Sequence, residues 1–253
     1  MILSLVPMRR TFYLLPLLLL LLGCQKADER ACFKGTGDAT TETRSIEDFH
    51  SVILFDFIDY NLIQDSTDKV VVHCGENLLN FIETEVENGV LRVRDENSCH
   101  WLRSLPVKIT VDIHFTELQS IRNESAGTLR TVGFVEQEVF VFDNYHSAGK
   151  NYLKVIADEA TIRINAGGPY VEVEGETRHV NLRNSGLAKL HAENLISESV
   201  WCDNKHDGYI RTTVNGGLFW YMLDGYGDIF YRGEAEKMIE VSRLGTGELI
   251  ELD

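Results

Sequence analysis

The chain has 253 residues, 44% hydrophobic and 25% charged, enough for one domain or two. Lys and Arg number 24 against 39 Asp and Glu, a net charge of −15. That balance argues against a nucleic-acid partner and against direct adsorption to anionic lipid.

Arg9 and Arg10 form a short basic region, with Met8 an alternative start beside them. The apolar run Thr11–Leu22 is too short to cross a bilayer as a helix and suits the apolar part of a signal peptide. It ends Leu21-Leu22-Gly23-Cys24, which resembles a bacterial lipoprotein signal. That resemblance implies cleavage after residue 23 and a lipid on Cys24, a firm membrane anchor because each buried CH₂ contributes roughly 0.8 kcal/mol. Losing Arg9 and Arg10 and no acid takes the charge from −15 to −17. The polar, acidic string Gln25–Glu29 resembles the export signal of Bacteroidetes surface lipoproteins, which implies an outer-membrane, surface-exposed address. Residues 24–37 read as lipidated cysteine and tether, and residues 38–253 as one domain.

Ala31–Phe49 reads as a turn-rich lead-in. Ser51–Phe57 and Lys69–His73 are apolar-rich strand candidates, and Glu76–Phe81 a helical turn. Ile82–Val86 and Val90–Arg94 flank Asn88-Gly89, the strongest short hairpin signal. In Pro106–Phe115, Val107, Ile109, Val111 and Ile113 alternate with polar residues, as a half-buried strand requires.

From Leu118 to Leu252 the sequence repeats with a period near twenty. Gly127, Gly149, Gly168, Gly186, Gly208, Gly227 and Gly247 punctuate it, each after a polar turn residue: Asn123, Asn144, Asn165, Asn184, Asn204, Asp224 and Arg243. Two short alternating runs fill each period, such as Ile162–Asn165 and Tyr170–Val173. Glycine accepts positive φ and asparagine tolerates it, so these are tight turns. A fixed period with two strands per repeat is a solenoid signature, because one repeat cannot bury its own apolar face and stacked repeats can. The expected fold is all-β: a parallel β-helix of about twenty-residue coils, preceded by a strand-rich N-terminal part of the same domain, with its asparagines stacked as a ladder. Evenly spaced hairpins in a sandwich are the competing architecture, but a sandwich has no reason to hold glycine and asparagine in phase.

Three stretches resemble the GIN-domain family of Bacteroidetes envelope proteins, the auto-transporter adhesin head. They are Thr41–Arg44 followed by Phe49 and Val52-Ile53; Glu76–Leu79 followed by Ile82–Leu91; and Ser125-Ala126-Gly127. The resemblance runs from about Gly35 to the C-terminus. It implies a right-handed β-helix on a surface lipoprotein, and it brings no catalytic residues.

Five cysteines are present. Cys24 is assigned to lipid, and Cys202 shares the inward register of Val200. Cys32 and Cys99 lie in polar, turn-rich stretches and are the disulfide candidates; a bridge between them would close a long loop. No nucleophile elbow, zinc-helix motif, phosphate loop or dinucleotide fingerprint occurs, so no catalytic residue, metal ligand or cofactor is nominated. The best catalytic cluster, Asp203, His206 and Asp207 with Asp224 and Asp228, is also ordinary turn chemistry. The aromatic residues are more suggestive. Trp201 and Tyr209 on one coil and Trp220, Tyr221 and Tyr226 on the next could form a stacking platform for sugar rings or a protein partner. The expected function is therefore a non-catalytic envelope lipoprotein with a binding or adhesion domain for a glycan or an envelope protein, anchored to the membrane through Cys24. The alternative is a polysaccharide lyase or hydrolase on the same fold.

Overall fold

The computed structural model describes residues 35–97 and 108–252. Cys24, Cys32, Cys99 and the leader lie outside the described residues.

The described chain is all-β, a solenoid of about seven turns. Its central strands are long and bend through the corners: β11 (Lys150–Ile164), β12 (Tyr170–Asn184) and β13 (Lys189–Asn204). The two short runs expected in each period are here merged into one strand. Successive coils pair in parallel, Lys150 with Tyr170 through to Ile164 with Asn184, so each residue sits over one about twenty positions earlier. Alternation then places every second side chain inside. One inward column runs Ile121, Phe142, Ile162, Leu182 and Cys202, all essentially inaccessible to solvent. Each of the Ile, Phe and Leu side chains contributes about 1.5–3 kcal/mol by leaving water. Burial also pushes the Cys202 thiol pKa well up, so it behaves as a small apolar residue.

The solenoid begins earlier than the repeat suggests. β2 (Ser51–Leu54) pairs in parallel with β6 (Val90–Asp95) on one side and β8 (Ser120–Asn123) on the other. β3 (Asp59–Gln64) lies in the same way between β7 (Thr110–Phe115) and β9 (Thr128–Thr131). The N-terminal strands are therefore coils themselves, and the coil of β6 and β7 lies outside that of β2 and β3. Antiparallel strands close this end: β4 (Lys69–Gly75) adds to β7, β1 (Ala39–Arg44) adds to β4, and β5 (Ile82–Glu87) adds to β6. β1 lies within the stretch expected to be turns; its anchor is the half-buried Arg44, whose guanidinium donates to the Ile82 and Leu79 carbonyls. The Asn88-Gly89 hairpin is present, both residues with positive φ, 52° and 74°, as a two-residue turn requires. The helical turn after Glu76 is a single 3-10 turn, Leu79–Phe81.

The glycines recur in phase for a steric reason. Gly127, Gly149, Gly186, Gly208, Gly227 and Gly247 do not have positive φ. A Cβ on each would fall 1.7–2.4 Å from a carbonyl oxygen of the coil beneath. Turns of adjacent coils stack backbone to backbone, and only glycine fits. Gly167, rather than Gly168, takes this place in its coil.

The asparagine ladder differs from expectation in two respects. Asn123, Asn144, Asn184 and Asn204 are aligned and fully buried, but Ile164, not Asn165, fills the intervening place. Nor do the aligned amides bond one another. Asn184 donates to the Ala188 carbonyl, and Asn204 to those of Gly208 and Gly227. A buried carbonyl without a donor is costly, so the amides serve the turns. Ser125 and Ser147 do the same: Ser147 Oγ donates to the Ser125 carbonyl and accepts from the Gly149 N–H.

Candidate binding surfaces

Trp201 and Trp220 come together. β13 and β15 (Leu218–Leu223) pair so that Trp220 lies directly over Trp201, ring centroids 6.2 Å apart and planes 33° from each other. Both are half-buried and point outward, since Val200 and Phe219 beside them point in. The same column continues down to Asn181 and Thr161. The column beside it carries Ser199, His179 and Glu159. Together they line an open cavity of about 510 Å³, within the size range of small-molecule sites. The result is an aromatic wall standing over a polar floor. Glu159, His179 and Asn181 are exposed there and make no side-chain hydrogen bond among the described residues.

The other three aromatic candidates go elsewhere. Tyr221 aligns over inward-facing Cys202, packs 5.7 Å from Phe219 and helps close the C-terminal end with Tyr231. Burial raises the Tyr221 pKa, as does the Glu240 carboxylate to which its hydroxyl bonds. Tyr226 stands 73% exposed in a turn. Tyr209 belongs to a second aromatic array on a different face. There Tyr152, Tyr170, His191, Tyr209 and Phe230 touch in sequence, one per coil, with centroids 5.1–6.0 Å apart. Tyr170 donates to Glu172 at 2.8 Å, which together with partial burial pushes its pKa up to about 12. Tyr209 Oη lies 2.8 Å from His191 Nε2, and His191 Nδ1 lies 3.1 Å from Glu193. The rings are thus held in place through their polar ends.

The cluster around Asp203 is not drawn together: His206 Nδ1 lies 3.7 Å from Asp207 with both side chains exposed, and the other carboxylates have separate partners. Asp203 is buried between Arg183 and Lys205, 3.3 Å from each. Asp224 accepts from Ser242 Oγ and the Leu244 N–H, and Asp228 from the Glu248 N–H. These carboxylates bind turns to one another. Carboxylates do gather on another face. Glu136, Glu138, Asp158, Glu176 and Glu198 border an open groove of about 560 Å³, with Asp158 held by Arg178 through two hydrogen bonds of 3.1 and 2.6 Å. Among the described residues no group of three His, Cys, Asp or Glu is placed to hold a metal ion.

A family model described as "Putative auto-transporter adhesin, head GIN domain" matches residues 48–235. A crystal structure described as a "putative adhesin" from Bacteroides fragilis is similar, with TM-score 0.76, 16% identity, and coverage of 85% of this chain and 97% of that one. A "putative adhesin" from Parabacteroides merdae follows at TM-score 0.66 and 15% identity, covering 87% of this chain and 98% of that one. A "Putative lipid binding protein" from Parabacteroides distasonis has TM-score 0.65 and 19% identity, with coverage of 87% and 98%. At such identities the likeness establishes the fold. No curated protein matches the chain. An adhesin family points to an extracellular or surface role.

Proposed function

This chain belongs to the GIN-domain family of auto-transporter adhesin heads, and on that premise we propose that it is a non-catalytic surface-binding domain whose Trp201–Trp220 shelf holds a neutral glycan. The observation that carries this is the pairing of two outward tryptophans with a floor of unengaged polar side chains. A sugar ring has an apolar face for the indoles and a rim of hydroxyls for Asn181, His179 and Thr161. Stacking and hydrogen bonds together fix orientation, as in small-molecule sites generally. Glu159 at the floor and the net charge of −15 disfavour an anionic sugar there. The address follows from the leader: residues 1–23 as a lipoprotein signal and Cys24 as the lipidated anchor, with the solenoid carried on residues 24–37 at the outer surface of the outer membrane. The test is a glycan-array screen with Trp201→Ala and Trp220→Ala. Retention of neutral glycans that both substitutions abolish supports the reading, and retention that survives both refutes it.

One observation favours a second reading, a polysaccharide-active enzyme. Glu136 and Glu176 lie two coils apart on the acidic groove, their backbones about 10 Å from each other, and the roughly 6.5–9.5 Å between the carboxyl groups of an inverting glycosidase lies within reach of two such side chains. Turnover of a bound polymer that is lost in Glu176→Gln would favour the enzyme.

A further inference from the structure

On the face of Tyr209, one outward column reads Lys150, Tyr170, Lys189, Tyr209 on four consecutive coils. Cation and aromatic ring alternate at one coil spacing, about 4.8 Å. The neighbouring column adds Arg130, Tyr152, Glu172, His191 and Arg211. Lys150, Lys189 and Arg130 are exposed and form no ion pair among the described residues. The acids of this face are committed: Glu172 to the Tyr170 hydroxyl, and Glu193 to His191 and Arg211. At the two ends of the lysine column, Asp59 accepts the Thr128 N–H and pairs with Lys108, and Asp228 accepts the Glu248 N–H. Hydrogen bonds leave these carboxylates charged, but between the two ends four cations, Lys150, Lys189, Arg130 and Arg211, stand against two carboxylates, Glu172 and Glu193, so the middle of the stripe is locally cationic on an acidic protein. At physiological ionic strength the Debye length is about 8 Å, so acids on other faces are screened from it.

We infer that this stripe is a second binding site, for a linear polysaccharide in which an acidic sugar alternates with a neutral one. An extended sugar chain lying along the solenoid axis advances by roughly one coil per ring. A uronate over Lys150 then sets a neutral ring over Tyr170, the next uronate over Lys189 and the next neutral ring over Tyr209. The cations stand two coils apart, about 10 Å, out of step with a B-form duplex, in which each strand places one phosphate per roughly 3.4 Å of helix axis. The rings are tilted 36–89° to their neighbours rather than parallel, which suits successive sugars better than a stack of bases. The hydrogen bonds at Tyr170 and Tyr209 fix the rings before the ligand arrives, which lowers the cost of binding. This site is independent of the tryptophan shelf and stands or falls without it.

The experiment is binding of the full chain to hyaluronan oligosaccharides, an alternating uronate polymer, by calorimetry at low and physiological salt. Polygalacturonate, dextran and oligo-dT are the comparison ligands. The expected result is hyaluronan binding that weakens with salt and exceeds binding to all three others. Removing one exposed charge contact should cost about threefold, so Lys150→Gln with Lys189→Gln should weaken binding by about tenfold. Tyr170→Ala should weaken it also, and Lys237→Gln on another face should not. No binding to hyaluronan overturns the proposal. Equal binding to polygalacturonate overturns the alternating register, and tighter binding to oligo-dT overturns the ligand class.

Discussion

Gly149→Ala tests the steric origin of the repeat. A Cβ at Gly149 would lie 2.2 Å from the Gly127 oxygen, whereas such contacts do not fall below 3.0 Å. The two turns must part by roughly 0.8 Å, the difference between these figures. The Lys150 N–H to Gly127 carbonyl bond, already 3.3 Å, cannot survive that movement. Overpacking costs about 1–3 kcal/mol and the lost hydrogen bond about 1 kcal/mol, so the loss should be about 2–4 kcal/mol. Urea denaturation should report it as a midpoint lowered by about 1–2 M at unchanged slope. The internal control is Gly168→Ala. It meets nothing closer than Leu187 Cβ at 3.4 Å and its φ is not left-handed, so its stability should change by about 0.5 kcal/mol or less. Equal losses in the two variants, or none in Gly149→Ala, would refute the stacking argument.

Asn204→Ala should cost about 2–4 kcal/mol in the same assay, because the Gly208 and Gly227 carbonyls lose their donor inside the core; a change under about 0.5 kcal/mol would mean that water replaces the amide. Trp201→Ala should abolish retention of neutral glycans with little effect on the denaturation midpoint. Tyr221→Ala should do the opposite, costing about 1–2 kcal/mol as the C-terminal cap loosens, with retention intact; the reverse pattern contradicts the placement of the two rings. Asp65 titrates at about 2, below its usual 3.8, held down first by the Ser66 N–H and then by His114. A depressed folded value stabilises above the unfolded one, and that stabilisation is lost as pH falls from about 4 to 2. The stability difference between the native chain and Asp65→Asn should therefore close across that window. A difference that widens toward pH 2 would contradict the assignment.

The repeat was legible because alternation and phased glycines leave a strong imprint, and the hairpin because Asn88-Gly89 meets a positive-φ requirement few residues satisfy. The cause of the phasing was not legible. A glycine that clears a neighbouring coil looks in sequence like one that turns left-handed. β1 escaped because Ala39–Arg44 carries no inward aliphatic residue; it is held by strand pairing and Arg44. The aromatic platform went astray over register. A period of twenty sets Trp201 beneath Tyr221, but the coil there is nineteen residues long and Trp220 takes the place. The array of Tyr152, Tyr170, His191, Tyr209 and Phe230 has spacings of 18, 21, 18 and 21, because its members alternate between two columns. A search for a constant period passes over it. Signals at Cys24, Cys32 and Cys99 fall outside the described residues.

The most direct measurement is backbone and indole amide chemical-shift mapping with the neutral oligosaccharide retained best on the array. The chain has three tryptophans. Shifts at the Trp201 and Trp220 indole N–H groups, together with Thr161, His179 and Asn181, are the result this account predicts. Shifts confined to other faces, with both indoles unmoved, would contradict it.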